Sequence, residues 1–314
     1  MSSNFTIEEA SFDDWKRVVD LCTETDRWSF TYDDFPVWKK AFGEDKSRFL
    51  AAKASENEAS ADGDVLGFVC MAKFDPNITT IGMYYVQPKY RGQGIGTQLF
   101  EKIMQDSKAQ GRNICLNGIS YMSEKYAGRK GLNNCADWIL SILNINGGAD
   151  TSKIAHLAGN SKVVNISDVD VAKIAAYDQS VAANIDRSKL VEAWLNHPAA
   201  WSKVALDGNG SVVGYGAARM VTLDRLVFGP LYANDKATAA ALIKAILDHD
   251  TSLPTRRIQF FSPSTNDDLF DVLELLSGGN CDDGGYFVSQ FTGQLLTIDI
   301  KKVYAVSDHA LGFI

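Results

Sequence analysis

One stretch of this chain leaves little freedom in how it can fold: Val86-Gln87-Pro88-Lys89-Tyr90-Arg91-Gly92-Gln93-Gly94-Ile95-Gly96-Thr97, continuing into Gln98-Leu99-Phe100-Glu101-Lys102-Ile103-Met104. Upstream, residues 79–86 are rich in β-branched and aromatic side chains and read as a strand, which must end before Pro88 because proline cannot donate to a ladder. Downstream, Leu99, Phe100, Ile103 and Met104 recur at helical spacing. Three alternate glycines therefore join a strand to a helix. Without Cβ atoms, backbone amides there can approach an anion closely, and the free N–H groups at the helix start add partial positive charge. The chemistry is that of a phosphate cradle. Spacing excludes two common versions of it. A P-loop requires Gly-Lys-Ser/Thr, but Gly96 is followed by Thr97 with no lysine. The dinucleotide fingerprint places its third glycine three residues after Gly94, where Thr97 stands.

What remains, Arg91-x-x-Gly94-x-Gly96, resembles the acetyl-CoA signature of the GNAT N-acetyltransferase superfamily, Gln/Arg-x-x-Gly-x-Gly/Ala, with the same strand before it and the same amphipathic helix after it. The resemblance implies an α/β fold: a twisted, mixed but mostly antiparallel sheet flanked by helices, splayed open between the strand at residues 79–86 and the next strand at Asn113–Ile119. It implies acetyl-CoA as co-substrate and no metal. Tyr84 and Val86 would hold the pantetheine arm, and Arg91, Gly92, Gln93, Gly94, Ile95, Gly96 and Thr97 the pyrophosphate. The run Met122-Ser123-Glu124-Lys125-Tyr126-Ala127-Gly128-Arg129-Lys130-Gly131-Leu132 resembles the family's next motif, a helix bearing a tyrosine shortly before Gly-Phe. It departs in spacing, with Tyr126 five residues before Gly131 where four is commoner, and in Leu132, which replaces the aromatic. Tyr126 is the implied general acid toward the departing thiolate, with Tyr121 in reserve.

By the same resemblance an amine attacks the thioester directly in a ternary complex, with an oxyanion donor near the Val86 amide. Many family members carry a glutamate on the strand before the glycine turn, yet residues 79–87 contain no carboxylate. A water-relayed base from Glu24, Asp26 or Asp33 would take its place. Those residues lie near the end of the first helix and in its following loop, the region that lines the family's acceptor site. Glu24, Asp26, Asp33 and Asp34 beside Trp28 and Tyr32 suit a cationic or aromatic amine. The bland alternative is a structural aromatic cluster with an acidic rim.

The second half repeats the first. Trp38 is echoed by Trp194, Gly67-Phe68 by Gly214-Tyr215, and the residues from Met83 to Val86 by Phe228-Gly229-Pro230-Leu231, at a spacing of about 150 residues. The copies differ where the cradle should be. The second reads Lys236-Ala237-Thr238-Ala239-Ala240-Ala241, whose methyl groups crowd an anion and favour helix. We therefore expect residues 1–150 to form a cofactor-binding domain and residues 160–314 a degenerate copy. The second half resembles the second domain of bacterial and nematode two-domain GNAT-like proteins. The function implied is acetylation of a small-molecule amine; a CoA-binding pseudoenzyme and a protein or peptide N-acetyltransferase are the alternatives, and a monomer and a homodimer fit equally.

Composition sets the outer limits. At 314 residues with 46% hydrophobic and 22% charged residues the chain is of ordinary globular make-up and two-domain length. A formal charge of -8 argues against nucleic-acid or anionic-membrane partners, so an anionic CoA would need local cations such as Lys89, Arg91 and Lys130. The five cysteines are scattered and never spaced Cys-x-x-Cys, the four histidines are isolated, and no Gly-x-Ser-x-Gly elbow occurs. Reduced core cysteines and a soluble cytoplasmic protein are expected. The remaining expected elements are a short strand at residues 5–7, helices around Trp15–Cys22 and at residues 33–42, strands at residues 48–53 and 65–73, and a solvated hairpin loop between them over residues 55–64.

Overall fold

The structure, a computed structural model, describes residues 5–55, 65–159 and 161–314. From residue 56 on, the polar stretch read as a hairpin loop lies outside the described residues. The first half runs β1 (Phe5–Glu9), α1 (Phe12–Asp26), α2 (Asp34–Phe42), β2 (Ser47–Ala54), β3 (Val65–Phe74) and β4 (Ile78–Val86). It continues through α3 (Ile95–Ala109), β5 (Asn113–Ile119), α4 (Ser123–Lys130) and β6 (Asn134–Asn146). The second half follows the same order: β7 (Lys162–Asn165), α5 (Val171–Val181), α6 (Ser188–Leu195), β8 (Ala200–Leu206), β9 (Val212–Val221) and β10 (Arg225–Ala233). Then come α7 (Lys236–Leu247), β11 (Arg257–Pro263), α8 (Asp267–Ser277), β12 (Cys281–Phe291) and the short β13 (Val303–Ala305).

The described strands form one mixed, mostly antiparallel sheet in the order β1-β2-β3-β4-β5-β12-β6-β11-β10-β9-β8-β7, with β13 on β10. Its centre is an exchange. β6, the last strand of the first half, pairs with β11 of the second, and β12 of the second half returns to pair with β5 of the first. β6 and β12 lie antiparallel to each other between them. Neither half closes its sheet with its own last strand, so the two halves share one continuous ladder. Such central strands are buried by pairing on both edges, and no sequence signal tells which neighbour each will take.

Local chemistry explains the elements that frame the cleft. Ser11 caps α1, its hydroxyl accepting from the Asp14 amide at 3.1 Å while Asp14 Oδ2 accepts from the Ser11 amide at 2.7 Å, a capping box. The helix stops where Arg27 turns left-handed (φ 58°) and the Trp28 amide bonds back to the Cys22 carbonyl. In α3 the residues Ile95, Leu99, Phe100, Ile103 and Met104 are buried, the face that the helical spacing predicts. Burial of each stabilises by about 1.5–3 kcal/mol before entropy is charged against it. The two halves also meet through α2 and α6, where the equivalent tryptophans Trp38 and Trp194 stack at 6.2 Å and 15°.

Candidate active site

β4 and β5 are parallel neighbours only over Ile78–Asn113, Thr79–Ile114 and Thr80–Cys115, and then part. A bulge drives the parting. The register of β3 against β4 shifts between Phe68 and Cys70, and Met83 sits at φ 47°, so β4 bends away from its partner. The closed end is pinned by Arg112, which donates to Thr79 Oγ1 at 2.9 Å and to the Phe74 and Ile78 carbonyls at 2.6 Å each. At the bulge there is no room for a side chain. A Cβ on Gly82 would strike the backbone of Ala310, because the segment after β13 crosses β4 there and is held by Thr80 Oγ1 donating to the Leu311 carbonyl at 2.7 Å.

At the open end of β4 lies the glycine turn. Gly92 and Gly94 adopt left-handed φ angles of 84° and 85°, with nothing within 4 Å of either Cβ position. Gly94 is the N-cap of α3 and has no side chain to satisfy the first amides of the helix. The cradle therefore offers unpartnered N–H groups and open space, which is what a pyrophosphate needs. Gly96 serves differently. Its Cβ would overlap the Tyr84 hydroxyl and lie 3.0 Å from Tyr84 Cζ, so it is the tyrosine of the cleft that demands glycine there. Gln93 and Thr97 are exposed along this turn, Ile95 is buried beneath it, and Val86 ends β4 beside it. Arg91, expected to face phosphate, donates instead to Asp26 at 2.7 Å and to the Val86 carbonyl at 2.9 Å. Lys130 pairs with Glu101 at 3.6 Å and lies over Phe100, and Lys89 lies over Tyr90.

The cleft opens into a cavity of about 390 Å3. Tyr84 and Tyr126 form part of its wall, 6.3 Å apart, and Tyr126 stacks on Phe100 at 5.7 Å. Tyr126 is buried, and that burial, with the neighbouring Tyr84 and Tyr121, raises its phenol pKa far above the ordinary value. It keeps its proton at any physiological pH. The reserve candidate Tyr121 is 69% exposed and off the lining.

The acceptor-side residues divide. Asp26 and Trp28 line the cavity, but Glu24 is exposed and off it, and Tyr32 turns outward to donate to Asp20 at 2.6 Å. Asp33 is also off the lining. Asp34 is fully buried and joined to Arg219 and His197 of the second half. Burial opposes its carboxylate, yet Arg219, His197 and the Thr31 amide outweigh it and hold the pKa below the ordinary value. The acidic rim expected to attract a cationic amine is thus dispersed: one carboxylate is neutralised by Arg91, one is locked inside the contact between the halves, and Glu24 and Asp33 lie away from the cavity. Proximity in sequence did not become proximity at the site, because these residues are taken up by different partners: Asp26 by Arg91, Tyr32 by Asp20, and Asp34 by Arg219 and His197.

What the sequence did not reveal is the far wall, which comes from the second half and the exchanged strands. Arg225 of β10, Arg257, Gln259 and Phe261 of β11, Asn144 of β6, Phe287 of β12 and His309 all line it. Burial, with the Arg219 charge, pushes His309 down to about 3, so its imidazole is neutral. One signal could have been read. Arg257 and Gln259 alternate with Ile258 and Phe260, which are apolar, and polar residues on one face of a central strand have to face something polar.

The comparisons with known proteins agree with this geometry. Residues 15–117 match the Acetyltransferase (GNAT) family and residues 174–278 an Acetyltransferase (GNAT) domain. The chain belongs to the GNAT acetyltransferase family. It carries two GNAT domains in tandem. An uncharacterized Caenorhabditis elegans protein is 22% identical over 269 residues, 84% of this chain and 78% of that protein. Among solved structures, a putative acetyltransferase from Pyrococcus horikoshii superposes with a TM-score of 0.73 at 17% identity, covering 99% of this chain and 97% of its own. A tandem GNAT protein from the clavulanic acid biosynthesis pathway gives a TM-score of 0.62 at 14% identity, over 93% of this chain and 99% of that one. These likenesses establish the fold; the GNAT family uses acetyl-CoA and acts on amine acceptors.

The second cradle position differs in structure as well as in sequence. Asp235 caps α7, its carboxylate accepting from the Thr238 amide at 2.8 Å, and Ala239 and Ala240 are fully buried. A carboxylate of the chain itself occupies the helix end that an anion would need. Among the described residues no helix is long and apolar enough to cross a membrane.

Proposed function

We propose that this protein is an acetyl-CoA-dependent N-acetyltransferase of a small-molecule amine, with residues 1–150 carrying the cofactor site and residues 160–314 a degenerate copy that completes the acceptor side. The observation that carries this reading is one continuous arrangement: the splayed β4 and β5, a cavity walled by Tyr84 and the buried, protonated Tyr126, and, behind Tyr84, the uncapped glycine turn at α3, whose Gly96 abuts that tyrosine. The residues fit the co-substrate. The amides from Gly92 to Gly96 would hold its pyrophosphate, and the open edges of β4 at Tyr84 and Val86 its pantetheine arm. Acetyl-CoA supplies the acyl group as an activated thioester.

The chain supplies placement and one proton. Holding two reactants in one cleft converts a bimolecular encounter into an effectively unimolecular one. Tyr126 holds its Oη proton on the cavity wall, ready for the leaving sulfur. His309 is too weak a base to accept a proton, and Asp26 is engaged by Arg91, so the acceptor would lose its proton to water. A cavity of about 390 Å3, walled by the second half, favours a small acceptor over a peptide.

Calorimetric titration with acetyl-CoA, followed by thiol release in the presence of an amine panel, tests the proposal. We expect binding at one site per chain, since α7 is capped by Asp235, and thiol release with at least one amine. An absence of binding at millimolar acetyl-CoA would overturn the reading. Binding without turnover on any amine would support a pseudoenzyme instead.

A further inference from the structure

The far wall of the cavity holds an imbalance of charge. Arg225 and Arg257 from the second half line it, and Arg27, which follows α1, lines the same cavity. Among the described residues none of the three has an ion-pair partner. The carboxylate on the same lining, Asp26, is already paired with Arg91. The neighbouring arginines Arg219 and Arg256 of the second half are paired, with Asp34 and Asp224 respectively.

Arg225 is the central member. It is only 7% exposed, and its Nε is buried with no hydrogen-bond partner. Burial, together with the charges of Arg257 and Arg27, lowers its pKa to about 10, so the side chain is still a cation at neutral pH. Its described partner is neutral: Nη1 donates to Gln259 Oε1 at 3.3 Å. Gln259 is oriented for that role, because its Nε2 donates to Asn144 Oδ1 at 2.8 Å and Asn144 Nδ2 donates to Asp282 Oδ1 at 2.8 Å. Ser29, on the lining of the same cavity, also has a buried hydroxyl without a partner. A buried guanidinium with no anion is costly, and a chain that positions one beside two more cations has made a receptor for a negative group. The planar fork suits a carboxylate or a phosphate.

We infer that the acceptor amine carries an anionic group, a carboxylate or a phosphate ester, which docks on Arg225 with Arg257 and Arg27 while the amine points toward the cleft between β4 and β5. This rests on the acetyltransferase reading and names its substrate class. The acceptor end selects for negative charge, contrary to the cationic or aromatic amine expected from the loop after α1. The excess of carboxylates in the composition lies elsewhere on the protein and does not line this wall.

The test is calorimetric binding of matched pairs to the full chain with CoA present: an amino acid against the amine lacking its carboxylate, and an amino sugar phosphate against the free amino sugar. We expect at least one anionic member to bind tenfold or more tighter than its neutral partner, and which arm responds identifies the carboxylate or the phosphate. Arg257→Gln, at an exposed position, and Arg225→Gln should each shrink that ratio at least tenfold; circular dichroism checks folding, and Arg257→Gln keeps the test decisive if Arg225→Gln does not fold. Equal affinity within both pairs, or a preference that survives Arg257→Gln and a folded Arg225→Gln, would overturn the inference. Loss of acetyl-CoA binding in the unsubstituted protein would instead overturn the acetyltransferase reading, and the two failures are read in separate titrations.

Discussion

Replacing Gly96 by alanine separates the two jobs that the glycine turn performs. A Cβ there would overlap the Tyr84 hydroxyl and lie 3.0 Å from Tyr84 Cζ. The ring has few directions in which to yield. Phe100 packs edge-on against it at 5.3 Å, and Tyr126 stands at 6.3 Å, which leaves the cavity as its exit. Overpacking of this kind costs about 1–3 kcal/mol. Because a displaced ring enters the space proposed for the pantetheine arm, the cost should appear in acetyl-CoA affinity as a loss of about 5- to 150-fold. Tyr84→Phe removes the overlapping oxygen, so the double variant Gly96→Ala/Tyr84→Phe should recover tenfold or more. Gly94→Ala provides the contrast. Nothing lies within 4 Å of its Cβ, but its φ of 85° costs an L-residue about 1–2 kcal/mol, and Tyr84→Phe should not rescue it. Calorimetry on the three single variants and the two double variants with Tyr84→Phe reads the coupling directly. If Gly96→Ala binds acetyl-CoA as the unsubstituted protein does, or if Tyr84→Phe rescues Gly94→Ala equally, the assignment of Gly96 to tyrosine packing is wrong.

Other consequences follow from the same contacts. Tyr126→Phe should lower kcat by about 100-fold or more with little change in acetyl-CoA affinity, and steady-state kinetics beside calorimetry distinguishes loss of a proton donor from loss of packing. Asp34→Asn leaves Arg219 buried without its counter-charge and should cost about 3–5 kcal/mol in urea unfolding; a change below about 1 kcal/mol would contradict the buried triad. Asp308 gives a pH signature of opposite sign to the usual carboxylate. Burial, only partly countered by Arg219 and by bonds from the Ala310 amide and Trp38, pushes it up from 3.8 to about 6, so between those values the folded state holds a proton that the unfolded state has lost. Its contribution is therefore full below pH 3.8 and declines as pH rises to 6, a swing on the order of 3 kcal/mol. Asp308→Asn should flatten that part of the urea-midpoint profile, and an unchanged slope would refute the assignment.

Read residue by residue, the first half was open to sequence reasoning because its signals are local. The strand at residues 79–86, the glycine turn and the face of α3 each depend on neighbours within a few positions, and each formed as its spacing required. Tyr126 stood out despite a departure in spacing from the family's motif, and the structure places it on the short helix α4, buried at the cavity wall. The stretch from the end of α1 to the start of α2 misled, since Glu24, Asp26, Tyr32 and Asp34 are close in the chain but have separate surroundings: Glu24 is exposed, Asp26 pairs with Arg91, Tyr32 with Asp20, and Asp34 with Arg219. Only Asp26 and Trp28 of the predicted acceptor residues reach the cavity.

By itself, then, the sequence determined that a glycine turn joins strand to helix, that the fold is used twice, and that the second copy lacks the turn's glycines. These are properties of backbone freedom and short-range periodicity, which residue types carry on their own. The exchange of β6 and β12, and with it the arginine wall, was decided only by the tertiary structure. Strand pairing is a long-range choice among edges of similar chemistry, and Arg27, Arg225 and Arg257 become one site only after the ladder has brought β10 and β11 across from the loop that follows α1.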